Sequence, residues 1–315
     1  MIFRPKTITT ESIIDYSEIL ENNDKIISVS IDSRGVNTLI IHSEPAYRTE
    51  DEMFPVIKSE NTKNYTFIRH DLEGNEILRT VIKDEYYNFH YVNYLPTDEI
   101  LLICGRSLYE SETEIDKNAR IYNTSGELVR NFIAGDGIQG VKIDSKGNIW
   151  TSYFDEGIFG SNGWDNPIGR SGLVCWSKDG EKVREFEPTD GLDHMSDCYA
   201  MNIDSEDNTW FYYYTGFPLV KLNSSNRIEF WKSKIAGSSS ISILGDRILM
   251  DEGYDRNNFK LFEIKGKKLK KLKKVKFRGT ENTELDMRNY IPSFGSHIGF
   301  YENNKIYLTN MNEIK

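Results

Sequence analysis

The stretch "VKIDSKGNIWTSYFDEG" (residues 141–157) decides how this chain is read. A short apolar run leads into a polar turn, a second apolar and aromatic run follows, and two acids end it abruptly. The turn residues Asp, Ser and Gly tolerate positive φ or bond their own backbone, as tight hairpins require. The stretch therefore predicts two antiparallel strands. It is also one tile of a series, because the same arrangement recurs in "VSIDSRGVNTLIIHSE" (29–44), "VNYLPTDEILLICGR" (92–106) and "MNIDSEDNTWFYYYTG" (201–216). Two more copies read "ISILGDRILMDEG" (241–253) and "GFYENNKIYLTN" (299–310).

The spacing of these tiles sets the architecture. Taking Asn37, Glu99, Asn148, Asn208, Arg247 and Lys305 as the start of each second strand gives a mean repeat of 54 residues, and two positions on stand Leu39, Leu101, Trp150, Trp210, Leu249 and Tyr307. Weaker hairpins lie between them at 65–82, 119–133, 172–186, 218–231 and 259–277. A unit of two hairpins repeated in this way predicts an all-β, six-bladed β-propeller with four-stranded antiparallel blades. The expected blades are 26–82, 89–133, 139–187, 199–232, 239–277 and 297–315, a single domain over 1–315. The sixth is short of strands at its outer edge, so the N-terminal strand "IFRPKTIT" (2–9) is expected to close it and protect the edge. The gaps at 44–64 and 277–298 leave five or seven blades as alternatives.

Bulk composition narrows the functional classes. The chain carries 39 basic and 49 acidic residues, a net charge of -10, and this argues against non-specific nucleic-acid binding. Eighteen Tyr, 16 Phe and 5 Trp suit strands better than helices. Three scattered cysteines without a CxxC spacing predict neither a disulfide framework nor a structural zinc site. No run is long and apolar enough to span a membrane, and the first twenty residues lack a signal-peptide pattern. A cytoplasmic monomer without membrane or nucleic-acid partners is the expectation.

Propeller geometry places the loops before each first strand and after each second strand on one face. The conspicuous chemistry falls there, around the mouth of the central channel. Five residues past each second-strand start stand His42, Cys104, Tyr153, Tyr213, Glu252 and Asn310, a polar series that predicts a pocket rim. The glycine-rich connection 155–171 carries Trp164, Asp165 and Arg170; Trp164 is expected as a lid over the pocket, as a flat platform for a sugar or planar ligand, or as a staple of its own loop. His194 lies near Asp197 in "DHMSDCY", as an acid-base couple or as an exposed loop histidine. The candidate ligand-binding residues are thus Trp164, Asp165, Arg170, Tyr153, Tyr213, His194 and His42. The acids Asp136, Glu156, Asp197 and Glu252 are candidate ligands for a divalent cation, calcium or magnesium. The basic run "KGKKLKKLKKVKFR" (265–278) reads as a lysine-protected outer strand, with a peripheral contact to an acidic partner as the alternative.

The tile "IQGVKIDSKGNIW" resembles the NHL repeat and the repeats of SMP-30/gluconolactonase and strictosidine-synthase propellers. The stretches "DEGIFGSNGWDNPIGRSGLVCW", "DCYAMNI" and "FYYYTGFPLVKL" are similar to a group of uncharacterised bacterial propellers. The SMP-30 resemblance implies a divalent ion over the channel, held by acids and an asparagine from several blades, with Asp136 as the position that matches. Its Pro-Asn-Gly tile is absent here. Two functions follow: a binding propeller for a small molecule, sugar or protein segment, and a metal-assisted hydrolase or lyase of the SMP-30 type.

Overall fold

The computed structural model describes residues 5–43, 56–255, 258–280 and 282–314. Residues 2–4 of the expected closing strand and much of the 44–64 gap lie outside them. The chain opens with β1 (Lys6–Thr10) and β2 (Ser12–Asp15). Blade one follows as β3 (Lys25–Ile31), β4 (Val36–Ile41), β5 (Lys58–His70) and β6 (Glu76–Tyr87). Blade two holds β7 (Tyr91–Leu95) and β8 (Glu99–Ile103), then a small excursion of β9 (Tyr109–Ser111) and β10 (Glu114–Ile115), then β11 (Ala119–Tyr122) and β12 (Leu128–Phe132). Blade three is β13 (Ile138–Ile143), β14 (Ile149–Tyr153), β15 (Leu173–Trp176) and β16 (Lys182–Glu185), with a one-turn helix α1 (Asp155–Phe159) between its second and third strands. Blade four is β17 (Asp197–Ile203), β18 (Thr209–Tyr214), β19 (Pro218–Leu222) and β20 (Ile228–Lys232). Blade five is β21 (Ile241–Leu244), β22 (Arg247–Asp251), β23 (Phe259–Lys265) and β24 (Lys268–Gly279), followed by the short β25 (Glu284–Leu285). Blade six holds β26 (Tyr290–Phe294), β27 (His297–Glu302) and β28 (Lys305–Asn310). These are the six four-stranded antiparallel blades of a six-bladed β-propeller, blade six completed by β2 and the sheet of blade five extended by β1 and β25.

The hairpins form where they do because their turns are made locally. In the opening stretch, Asp144 Oδ1 accepts the backbone N–H of Lys146 at 3.0 Å and of Asn148 at 2.9 Å. Asp71, Asn123, Asp204 and Asn223 build the same bracket to the residues two and four positions on. The position three residues after the bracketing side chain has positive φ in each case, which explains the glycine at Gly74, Gly126 and Gly147 and the Asp or Asn at Asp207 and Asn226. The apolar register is equally regular: Leu39, Leu101, Trp150, Trp210, Leu249 and Tyr307 are all at most 2 % exposed.

Blade six differs from the sequence expectation. Its strand order is β26-β27-β28-β2, so the hairpin at 299–310 forms the middle of the blade and not its inner pair. β26 is the first strand. It eluded the sequence reading because Pro292 and a register shift between Ile291 and Phe294 break its alternation. The N-terminus does complete this blade, through Ser12–Asp15 pairing antiparallel with Lys305–Tyr307. Lys6–Thr10, within the segment expected to do so, instead runs parallel to Val275–Gly279 of β24 and covers part of the lysine-rich edge of blade five.

Two compact units are distinguished by their internal contacts, residues 18–186 and residues 1–17 with 187–315. The first contains blades one to three, the second blades four to six. In the first unit a core of Leu39, Phe67, Ile82, Ile100, Leu102 and Tyr122 joins blades one and two. In the second, Leu249, Phe259, Phe277, Phe300 and Tyr307 join blades five and six. No helix among the described residues is long and apolar enough to cross a membrane.

Candidate functional site

A cleft of about 900 Å³ opens within the 18–186 unit. Its walls are Val56–Lys58 at the start of β5, the β9-β10 excursion with Glu110 and Glu114, and the segment after α1 with Ser161 and Asn162. Arg106, Asp116 and Glu156 supply its fixed charges. Arg106 follows β8 and is 6 % exposed. Its Nε donates to Asp136 Oδ1 at 2.8 Å and its Nη2 to Asp136 Oδ2 at 3.0 Å, the bidentate geometry that suits guanidinium and carboxylate. Nη2 also donates to Glu156 Oε2 at 2.6 Å. Burial alone would lower the pKa of Arg106, but Asp136 and Glu156 outweigh it and hold the guanidinium above its ordinary range.

Two glycines make this grouping possible. Gly137, at φ 68°, and Gly157 bring two chain segments so close that a Cβ on Gly157 would stand 2.5 Å from the Asp136 carbonyl oxygen. Only that approach carries Glu156, the residue before Gly157, within reach of Arg106. On the opposite wall Lys58 pairs with Asp116 and lies 5.0 Å from the Tyr87 ring centroid. Asp116 Oδ2 also accepts the Leu108 N–H at 2.9 Å, and Asp116 Oδ1 accepts the Tyr87 hydroxyl at 3.2 Å. Burial first, then Asp116, pushes the Tyr87 phenol pKa up. Glu110 and Glu114 make no ion pair among the described residues, so carboxylates outnumber cations in the lining.

Of the sequence candidates, Glu156 lines this cleft and Asp136 lies behind it on Arg106. Trp164 is 6 % exposed, donates its Nε1 proton to the Ser107 carbonyl at 2.8 Å and packs on Tyr109 with ring centroids 5.2 Å apart. It fastens the 155–171 connection to the β9-β10 excursion. Asp165 and Arg170 are exposed on the same connection, Arg170 donating to Asn166 Oδ1 at 3.2 Å. Tyr153 and Tyr213 are fully buried, and their hydroxyls donate to the carbonyls of Ala134 and Asp193. His42 bridges Asp24 at 2.8 Å and Thr66 at 2.6 Å. His194 is exposed in the other unit, three residues before Asp197 at the start of β17.

The acids offered for a divalent cation are already engaged by protein groups. Asp136 receives Arg106, the Ser107 N–H at 2.8 Å and the Asn162 amide at 3.2 Å. Glu252 Oε1 pairs with Lys260 at 3.1 Å and Lys274 at 2.8 Å, and its Oε2 accepts from Asn258 at 2.9 Å. Burial would raise the pKa of Glu252, but Lys274, Asn258 and Lys260 hold it below the ordinary glutamate range. Among the described residues no three His, Cys, Asp or Glu side chains gather as a metal site. The guanidinium of Arg106 stands against Asp136 where a metal would need its lone pairs.

Lys58, Arg106, Glu110, Glu114 and Asp116 were missed by the sequence reading. For all but Lys58 the signal was the 104–118 connection, far longer than a hairpin turn and carrying an acid at every second position from Glu110 to Asp116.

No protein-family model matches the chain, and no curated protein matches it. Solved structures with likeness to it include a nidogen/laminin complex, 12 % identical over 82 % of each chain with a TM-score of 0.47. A second is a catalytically inactive virginiamycin B lyase from Staphylococcus aureus with quinupristin, 14 % identical over 92 % of this chain and 97 % of that one, TM-score 0.45. A third is a protein of unknown function from Bacteroides caccae, 13 % identical over 81 % of each chain, TM-score 0.41. The assignment of this chain to the six-bladed β-propellers rests on its own strand order.

Proposed function

We propose that this protein is a binding propeller that takes a small polar molecule bearing an amine in the cleft of the 18–186 unit. The observation that carries the reading is the lining itself. A cleft of about 900 Å³ is of ligand size, and four carboxylates, Glu110, Glu114, Asp116 and Glu156, face two cations, Lys58 and Arg106, that are already paired. The remaining negative charge favours a cationic group, and the held positions of Arg106 and Asp116 reduce the ordering that binding requires. Nothing in the lining forms a nucleophile-base couple, so recognition without turnover fits best.

The test is calorimetric titration with a panel of polyamines, neutral sugars and dicarboxylates at fixed salt. An amine should bind, and the exposed double substitution Glu110→Gln/Glu114→Gln should weaken it about tenfold, the effect of roughly 1.4 kcal/mol of lost charge pairing. Preference for a sugar or a dicarboxylate, or unchanged amine affinity in the double variant, would overturn the reading.

A further inference from the structure

The second unit carries an aromatic surface that the cleft does not involve. Phe217, the residue just before β19, is its hub. Its ring centroid lies 5.6 Å from Tyr199, edge-on, 5.5 Å from Tyr214 and 5.6 Å from Tyr212, which is stacked beneath it. Tyr254 adds a fourth phenol through a 3.0 Å hydrogen bond between its hydroxyl and that of Tyr199. Tyr254 is 62 % exposed and Tyr214 46 % exposed, so two rings of the group stand open to solvent. Tyr254 keeps its place because Gly237 leaves room for it: a Cβ there would stand 2.6 Å from the ring.

Two carboxylates act on this group of rings, one from the sheet surface and one from the core. Asp197 pairs in register with Tyr214 across β17 and β18, and its field acts on the Tyr199 hydroxyl. Asp251, fully buried, lies within electrostatic reach of Tyr212 and gathers donors from Ser238, Ser239, Ser240 and Gly253. Among the described residues no lysine or arginine forms an ion pair with Asp251, whereas the neighbouring Glu252 takes both Lys260 and Lys274. Exposed phenol faces beside carboxylates suit a cation that is poorly hydrated, since a ring quadrupole attracts such an ion without having to strip a tight water shell. A neutral sugar would gain nothing from the carboxylate fields, and an anion would be repelled.

We propose that Tyr199, Tyr214, Phe217 and Tyr254 form a binding platform for a quaternary ammonium group, with Asp197, opposite Tyr214 in the sheet, on the side of the complementary charge. The probe is choline chloride, followed by NMR shifts of the tyrosine ring resonances, beside the uncharged carbon isostere of choline. Choline should bind and the isostere should bind at least about fivefold more weakly, as one cation-π contact per exposed ring implies. Tyr254→Leu should weaken choline about fivefold while Tyr254→Phe, which keeps the π face, should retain most of the affinity. Equal binding of the isostere, or a Tyr254→Leu affinity equal to that of the parent, would overturn the platform. Choline binding that vanishes in Glu110→Gln/Glu114→Gln and survives in Tyr254→Leu would also overturn it, while leaving the cleft reading intact.

Discussion

Arg106→Leu is the sharpest perturbation of the 18–186 unit. Asp136 is 2 % exposed and receives two charge-assisted hydrogen bonds from Arg106. Removing the guanidinium leaves the carboxylate with the Ser107 N–H and a long contact to Asn162, a buried charge without its counterion. Breaking one side of such a pair costs about 3–5 kcal/mol. At roughly 2.1 cal/mol/K of unfolding entropy per residue over this chain, that loss corresponds to a fall in Tm of about 4–8 °C by scanning calorimetry. Glu156, 36 % exposed at its side chain, shares the same guanidinium, but solvent screens it. Glu156→Gln should therefore cost no more than about 1 kcal/mol.

The double substitution Arg106→Leu/Asp136→Leu separates the pair from its desolvation. Replacing both buried charges with apolar groups is often close to neutral, so the double variant should recover most of the lost stability. A single variant within about 1 °C of the parent, or a double variant as unstable as the sum of its parts, would refute the reasoning.

Three further outcomes are expected. Burial pushes the Lys142 amine down to about 7 from its ordinary 10.5, so the unfolded chain holds a proton that the folded one releases across that window, and stability should rise with pH through it; Lys142→Met should flatten the rise in a Tm series, and parallel curves would count against it. All three cysteines are buried, and burial pushes the thiols of Cys104 and Cys175 up to about 12, so a thiol reagent at mildly alkaline pH should label the folded protein slowly and the urea-unfolded chain at once; rapid labelling of the native form would contradict this. Deleting residues 1–15 removes the outer strand of blade six and the buried Ile8 and Ile14, a loss of about 3–6 kcal/mol visible as a lower urea midpoint; an unchanged midpoint would mean that β2 contributes little.

The hairpins were legible because the forces that make them act within five residues. Asp144 brackets its own turn, and Gly147 supplies the positive φ that the turn demands, so "IDSKGN" announces itself wherever it occurs. The period of the tiles and the buried Leu39, Leu101, Trp150, Trp210 and Leu249 then followed from strand alternation. β26 was illegible because Pro292 and its bulge erase the alternation, and the parallel pairing of Lys6–Thr10 with β24 joins segments with no local signal between them.

Of the charged residues that line the cleft, the sequence singled out Glu156 alone, and it showed none of their partnerships. Sequence alone placed acids and a tryptophan on the connections that leave the second strands, since loops carry what strands cannot. It could not tell that Arg106 would reach Asp136 and Glu156, thirty and fifty positions away. Nor could it tell that Trp164 would turn inward to Ser107. Local hydrogen bonding and alternation write the strands into the chain, whereas the pairing of buried charges depends on which distant segments the packed sheets bring within 3 Å, and only the tertiary structure decides that.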